Sequence, residues 1–249
     1  MNDSDPFLPP PPNMVALPAT APSIDELFDF MRDAERRFRT LRMRVVDRAN
    51  TAHGPIDTTI ELWLAHPGRA KVIENHAARG TRPASYSVWV SDGRRVRTYD
   101  SGSNVATDRT HRHVPEGIND PSLPWSSRVV PPITELPAES LPEAFVHPAG
   151  LTRNLATGSV ALVGQATIAG REALLLEVDA PRATLIETDR PDHAEVIGVD
   201  RATGIVLLLE ERVADAVTRR AEVTYLEPDA RVRDEDFVIH VPEDATPIF

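Results

Sequence analysis

Mainly antiparallel β-structure behind one N-terminal amphipathic helix, an α+β arrangement, is the fold class this sequence predicts. Three observations predict it. The apolar period changes from 3.6 to 2 near Leu41 and stays close to 2 in most later apolar runs. Turn signals at Asp92-Gly93, Gly170 and Asp200 to Gly204 punctuate those runs, because glycine accepts the positive φ of tight hairpins. The 249 residues, 41% hydrophobic and 26% charged, suffice for one domain with a substantial core.

Residues 1–22 hold seven of the 23 prolines, four of them consecutive at Pro9 to Pro12, and read as a disordered proline-rich tail. The domain is expected to span 23–249. It opens with Ser23 and Glu26 in capping-box spacing. Ile24, Leu27, Phe28, Met31, Ala34 and Phe38 then form one apolar stripe of a helix of about four turns, with Asp25, Asp29, Arg32, Asp33 and Arg36 opposite.

Strands follow. Leu41, Met43 and Val45 alternate with Arg42 and Arg44; Thr58, Ile60, Leu62 and Leu64 alternate with Asp57, Thr59, Glu61 and Trp63; Tyr86, Val88 and Val90 alternate with Ser87, Trp89 and Ser91. The last leads through Asp92-Gly93 to Val96–Tyr99. The second half predicts Val160–Val163, a turn near Gly164 into Thr167–Ile168, then Ala173–Val178, Ala194–Val199, Ile205–Arg212, Arg220–Leu226 and Phe237–His240. Between the halves, residues 101–157 are rich in proline, predict one short helix near 138–145, and are expected to cover a face of the sheet.

Composition excludes several functions. A net charge of −11 opposes a broad basic surface for nucleic acid or anionic membranes, and no apolar run approaches the ~20 residues of a transmembrane helix. With no cysteine, thiolate chemistry and disulfides are absent. The acidic start of the sequence lacks the pattern of a signal peptide, so the chain as given predicts a cytoplasmic location, and a cell-envelope one if the true start lies upstream. No nucleophile elbow, P-loop, dinucleotide fingerprint or H-E-x-x-H motif occurs, and no enzymatic activity or cofactor is expected. His111 and His113, with Asp108 or Glu116, are the best metal candidates, but two histidines in a polar loop fall short of a site.

The apolar faces carry the functional expectation, since one helix cannot cover so many strands. Phe28, Met31, Met43, Ile60, Leu62, Leu64, Val88, Val90, Leu174, Leu176, Leu207 and Leu209 are the candidate ligand-binding residues, lining a concavity for a long apolar chain. Trp63 and Trp89, on the otherwise polar faces of their strands, are expected to pack under a loop or to mark a partner surface.

Glu61-Leu62-Trp63-Leu64 with Pro67-Gly68-Arg69, Val90-Ser91-Asp92-Gly93, Tyr99-Asp100, Val105, Gly164, Gly170-Arg171, Val199 to Glu210, and Phe237 before Val241-Pro242 resemble the LolA/LolB-like lipoprotein-carrier superfamily. The likeness extends to the N-terminal domain of its MucB/RseB type and spans Ser23 to Pro242. It implies a curved antiparallel half-barrel with helices in its mouth and an apolar cavity between. It further implies a lipid or a lipidated protein as partner, or, for the regulator type, a regulatory protein partner in envelope-stress sensing.

Overall fold

In the computed structural model of the chain, the structure describes residues 17–18, 20–51, 54–81, 83–110, 132–148, 159–179, 192–214 and 216–248. Its first element is helix α1 (Ile24–Arg32). The Ser23 hydroxyl accepts from the Glu26 amide at 3.3 Å, and the Glu26 carboxylate accepts from the Ser23 amide at 2.8 Å. These bonds satisfy donors that a helix start leaves free. The helix ends sooner than the stripe predicts, because a 3₁₀ turn (Ala34–Arg37) takes over. That change of winding still leaves Leu27, Phe28, Met31, Ala34 and Phe38 buried.

The strands are β1 (Thr40–Thr51), β2 (Gly54–Ala65), β3 (Arg69–His76), β4 (Ser85–Asp92), β5 (Arg95–Asp100), β6 (Val105–Thr110), β7 (Ser159–Ile168), β8 (Arg171–Asp179), β9 (His193–Asp200), β10 (Val206–Val213), β11 (Ala216–Pro228) and β12 (Thr246–Ile248). Helix α2 (Leu141–Val146) precedes β7. All twelve strands make one sheet, in the order β12-β6-β5-β4-β3-β2-β1-β11-β10-β9-β8-β7. Two antiparallel meanders, β1–β6 and β7–β11, are thus joined where β1 pairs with β11. The curved sheet does not close: β7 and β12 are its edges, and β12 joins β6 in parallel. The result is a half-barrel.

Directly paired residues share a face, so the register sorts side chains into inner and outer sets. Leu41, Met43 and Val45 stand opposite Leu64, Leu62 and Ile60, and Leu62 opposite Val72. Val72 in turn faces Trp89, which packs on the core. Trp89 is therefore inside and, in correction of the alternation read from sequence, Val88 and Val90 lie on the outer face, opposite Ile73 and Lys71. They are nevertheless 9% and 2% exposed, because the C-terminal segment straps that face. Lys71 donates to the Val238 carbonyl at 2.8 Å, and the Arg69 guanidinium stacks 4.4 Å from the Phe237 ring. Asn104 donates to the Asp244 carbonyl at 3.1 Å.

Other expectations change as well. Gly164 makes no turn: β7 runs through it, with a register shift between Leu162 and Gly164. The strand expected at Phe237–His240 is replaced by a 3₁₀ turn (Asp234–Phe237) inside the strap. Asp92-Gly93 turns β4 into β5 as the sequence predicts, Gly93 having a φ of 84° and Asp92 accepting amides of Arg94 and Arg95.

Candidate functional site

The inner face is a continuous apolar wall. Leu209 and Leu176 each stand opposite Ile197, and Leu174 stands opposite Val199. Met43, Ile60, Leu62, Leu64, Leu174, Leu176, Leu207 and Leu209 all belong to one buried cluster together with Phe28 and Met31 of α1. Ten of the twelve sequence candidates thus come together; Val88 and Val90 belong to the other face.

Among the described residues no second sheet covers this wall. It is covered by α1, the 3₁₀ turn, Leu136 and α2, whose Leu141, Phe145 and Val146 join the same cluster. These pieces are fastened to one rim by polar contacts. Arg37 donates to the carbonyls of Phe30 at 2.7 Å and Thr203 at 3.3 Å, tying the helix to the β9–β10 turn. That turn is held by Asp200, which accepts two hydrogen bonds from Arg171 at 2.9 and 2.8 Å and one from the Thr203 amide at 2.9 Å. Glycine at 204 is needed on two counts: its φ is 81°, and a Cβ there would stand 3.0 Å from the Phe30 carbonyl oxygen.

A second fastening joins the 3₁₀ turn, the covering segment and the β2–β3 turn. The buried Glu35 carboxylate accepts from the Ile133 amide at 3.0 and 3.1 Å and lies 3.1 Å from His147 Nε2. His66 Nδ1 meets the Thr134 hydroxyl at 2.7 Å, and that hydroxyl accepts from the Gly68 amide at 2.8 Å. The His66 ring stacks on Phe38 at 5.4 Å. Burial pushes the His66 imidazole down to about 4, against the opposing pull of Glu35, so it is neutral at ordinary pH. Glu35, His66, Thr134 and His147 carry no motif, which is why sequence reasoning missed them.

Towards the opposite rim the inner face turns polar. Arg219 donates to both oxygens of Asp47 at 3.0 Å and reaches Glu211 at 3.5 Å. Glu195 stands directly opposite Glu211 on the neighbouring strand. Burial and the Glu211 charge together hold the Glu195 proton up to about 7.

The outer face presents a groove of about 290 Å³ lined by Arg42, Met43, Arg44, Glu61, Leu62, Trp63 and Tyr225, with Arg42 and Lys71 each 5.9 Å from the Trp63 ring. His111, His113 and Glu116 lie outside the described residues. Among the described residues no group of three His, Cys, Asp or Glu side chains is placed to hold a metal ion, and no helix is long and apolar enough to cross a membrane.

No protein-family model matches the chain, and no curated protein matches it. Solved structures with a similar arrangement include MucB from Pseudomonas aeruginosa in complex with MucA, at 18% identity and a TM-score of 0.49, covering 87% of this chain and 60% of that one. LprF from Mycobacterium bovis is 12% identical with a TM-score of 0.41, covering 89% and 98%. A LolA superfamily protein from Nitrosomonas europaea is 8% identical with a TM-score of 0.31, covering 88% and 99%. The chain spans about three-fifths of the length of the MucB chains.

Proposed function

We propose that this chain is a non-enzymatic binding protein that holds a long apolar ligand, such as the acyl chain of a lipid or lipidated protein, between the inner face of its half-barrel and the helical cover. The observation behind this reading is the kind of cover the wall has. Phe28, Met31, Leu62, Leu176 and Leu207 meet across an interface whose lid side is short helical pieces, fastened at the rim by Arg37, Glu35 and His66. Such pieces can lift without breaking a single ladder bond of the sheet. An acyl chain entering beneath them would replace the lid contacts, each buried methylene contributing ~0.8 kcal/mol before the entropy of ordering. Val88 and Val90 have no part in this site.

Native mass spectrometry of the purified protein, followed by organic extraction, tests the reading: a co-purifying or readily taken up lipid at one per chain is expected. Leu176→Arg should abolish retention, whereas Trp63→Arg on the outer face should leave it unchanged. Full retention in Leu176→Arg would overturn the site.

A second reading, a protein-interaction or envelope-stress sensor module, is favoured by the outer groove. Its aromatic floor at Trp63 and Tyr225 beside Arg42 and Arg44 suits a partner segment. Loss of partner capture in Trp63→Ala with lipid uptake intact would support it.

A further inference from the structure

The polar end of the inner face is not a solvated edge. Asp47, Glu211 and Arg219 are each a quarter or less exposed, or close to it, at 14%, 25% and 28% of their side chains. Arg219 is spent on its two-point bond to Asp47 and its longer contact with Glu211. Glu195 has no hydrogen-bond or ion-pair partner among the described residues, although it faces Glu211 across the ladder at a spacing of about 5 Å between Cβ atoms.

The outer face of the same strands offers a contrast, a buried carboxylate that is fully paired. There Glu210, 4% exposed, is clamped between Arg212 and Arg220. One strand over, the inner pair has no cation left for Glu195 among the described residues.

A second observation points the same way. His193 precedes Glu195 by two residues and stands opposite Val213, which puts it on the inner face beside the carboxylates. It is 3% exposed, and neither of its ring nitrogens has a hydrogen-bond partner among the described residues. A buried imidazole without partners is costly and rare, so an external group that bonds to it stabilises the site.

The wall and this end are continuous. Val178 stands opposite Glu195, Leu176 opposite Ile197, and all of these belong to one face. Among the described residues of this end, three carboxylates stand against one guanidinium, and that guanidinium is already bonded. The local charge therefore favours a cation and opposes an anion.

We infer that Glu195, Glu211 and His193 form a head-group site for a primary ammonium, making the ligand of the inner face a cationic amphiphile whose chain lies along Val178, Leu176 and Leu62. This rests on the apolar-ligand reading above and adds the chemistry of the polar end. The ammonium donates to the Glu195 and Glu211 carboxylates and to a ring nitrogen of His193, while the two-point bond to Asp47 holds Arg219 in place. Since Glu195 holds its proton up to about 7, binding at neutral pH expels that proton.

The test uses displacement of a fluorescent apolar probe from the full chain by three ligands of equal chain length: a long-chain primary amine, the matching alcohol and the matching fatty acid. The amine should bind at least tenfold tighter than either. Glu195→Gln with Glu211→Gln should remove that preference and leave alcohol affinity within twofold. Asp234→Asn with Glu235→Gln, which removes at least as much charge from the outer surface, should leave the preference intact. Equal loss in both pairs would reduce the effect to net charge and overturn the site. Calorimetry of the unmutated protein in two buffers at pH 7 gives an independent readout: release of about half a proton per amine bound is expected for a carboxyl titrating near 7, and none for the alcohol. An amine that binds no tighter than the alcohol overturns this inference alone. Failure of all three ligands to bind overturns the apolar site as well.

Discussion

Two tripeptides of the same pattern meet opposite fates in this molecule. In Leu62-Trp63-Leu64 of β2 the aliphatic residues face the core and the tryptophan faces out. In Val88-Trp89-Val90 of β4 the tryptophan packs on the core and the valines face out beneath the C-terminal strap. Both triplets satisfy a period of two. What differs is the cover on the outer face: β2 has an open groove at Trp63, whereas β4 has a strap that brings Phe237 and Val238 against Arg69 and Lys71 of the adjacent strand. Alternation specifies that two faces exist; which is the more buried depends on what crosses them.

The largest expected effect separates the two faces of β2. Leu62→Asp places a charge where the wall is 1% exposed and should unfold the domain, a loss above about 4 kcal/mol. Trp63→Asp should cost no more than about 1–2 kcal/mol. Urea unfolding of both variants checks this, and similar midpoints would break the face assignment.

The next effect concerns pH and two groups of opposite sign. His66 has a lowered folded pKa of about 4, so the unfolded chain binds its proton first, and stability from this group falls as pH drops from 6.5 towards 4. Glu195 has a raised folded pKa of about 7, so the folded chain binds more proton, and its contribution is present below 4.5 and lost as pH rises through 7. Each is worth on the order of 2–3 kcal/mol at most, and the windows overlap, so the two largely offset one another. Glu195→Gln should therefore make stability rise with pH between about 4.5 and 6.5, and His66→Asn should make it fall over the same range. Identical pH profiles for the two variants would contradict this account.

A smaller effect tests the strap. Val88→Ala should cost about 1–2 kcal/mol for two lost methyl groups. It should also couple to Phe237→Ala by at least about 0.5 kcal/mol, because Phe237 seats the strap over that face, while Leu62→Ala and Phe237→Ala should add independently. A double-mutant cycle by chemical denaturation measures the coupling. An additive result for Val88 and Phe237 would mean the strap does not seat on the valines.

Much of the fold was legible. Ser23 and Glu26 mark the helix start because capping is local, and Asp92-Gly93 marks a hairpin because the turn needs a positive φ. The wall residues of β1, β2, β8 and β10 were legible because Leu and Ile alternate there with charge or sit in runs too apolar to be exposed. Val88 and Val90 were misplaced because the strap comes from residues more than 140 positions away, as its Lys71 to Val238 bond, spanning 167 positions, illustrates. Gly164 looked like a turn since a glycine marks a bulge as readily as a hairpin. The Glu35, His66, Thr134 and His147 fastening and the Glu195, Glu211 and His193 group left no local signal. The first is assembled by packing of the 3₁₀ turn and the covering segment on the β2–β3 turn, the second by the register of β9 on β10.

The most direct test of the inner-face site is quenching by a long-chain ligand brominated along its chain. It needs two variants that each keep one tryptophan, Trp89 or Trp63, with Trp125 and the other replaced by phenylalanine. Trp89, packed on the wall, should lose most of its fluorescence on stoichiometric ligand addition, while Trp63 on the outer face keeps its own. Quenching of Trp63 with Trp89 unaffected would place the ligand in the outer groove and contradict an apolar site beneath the helical cover.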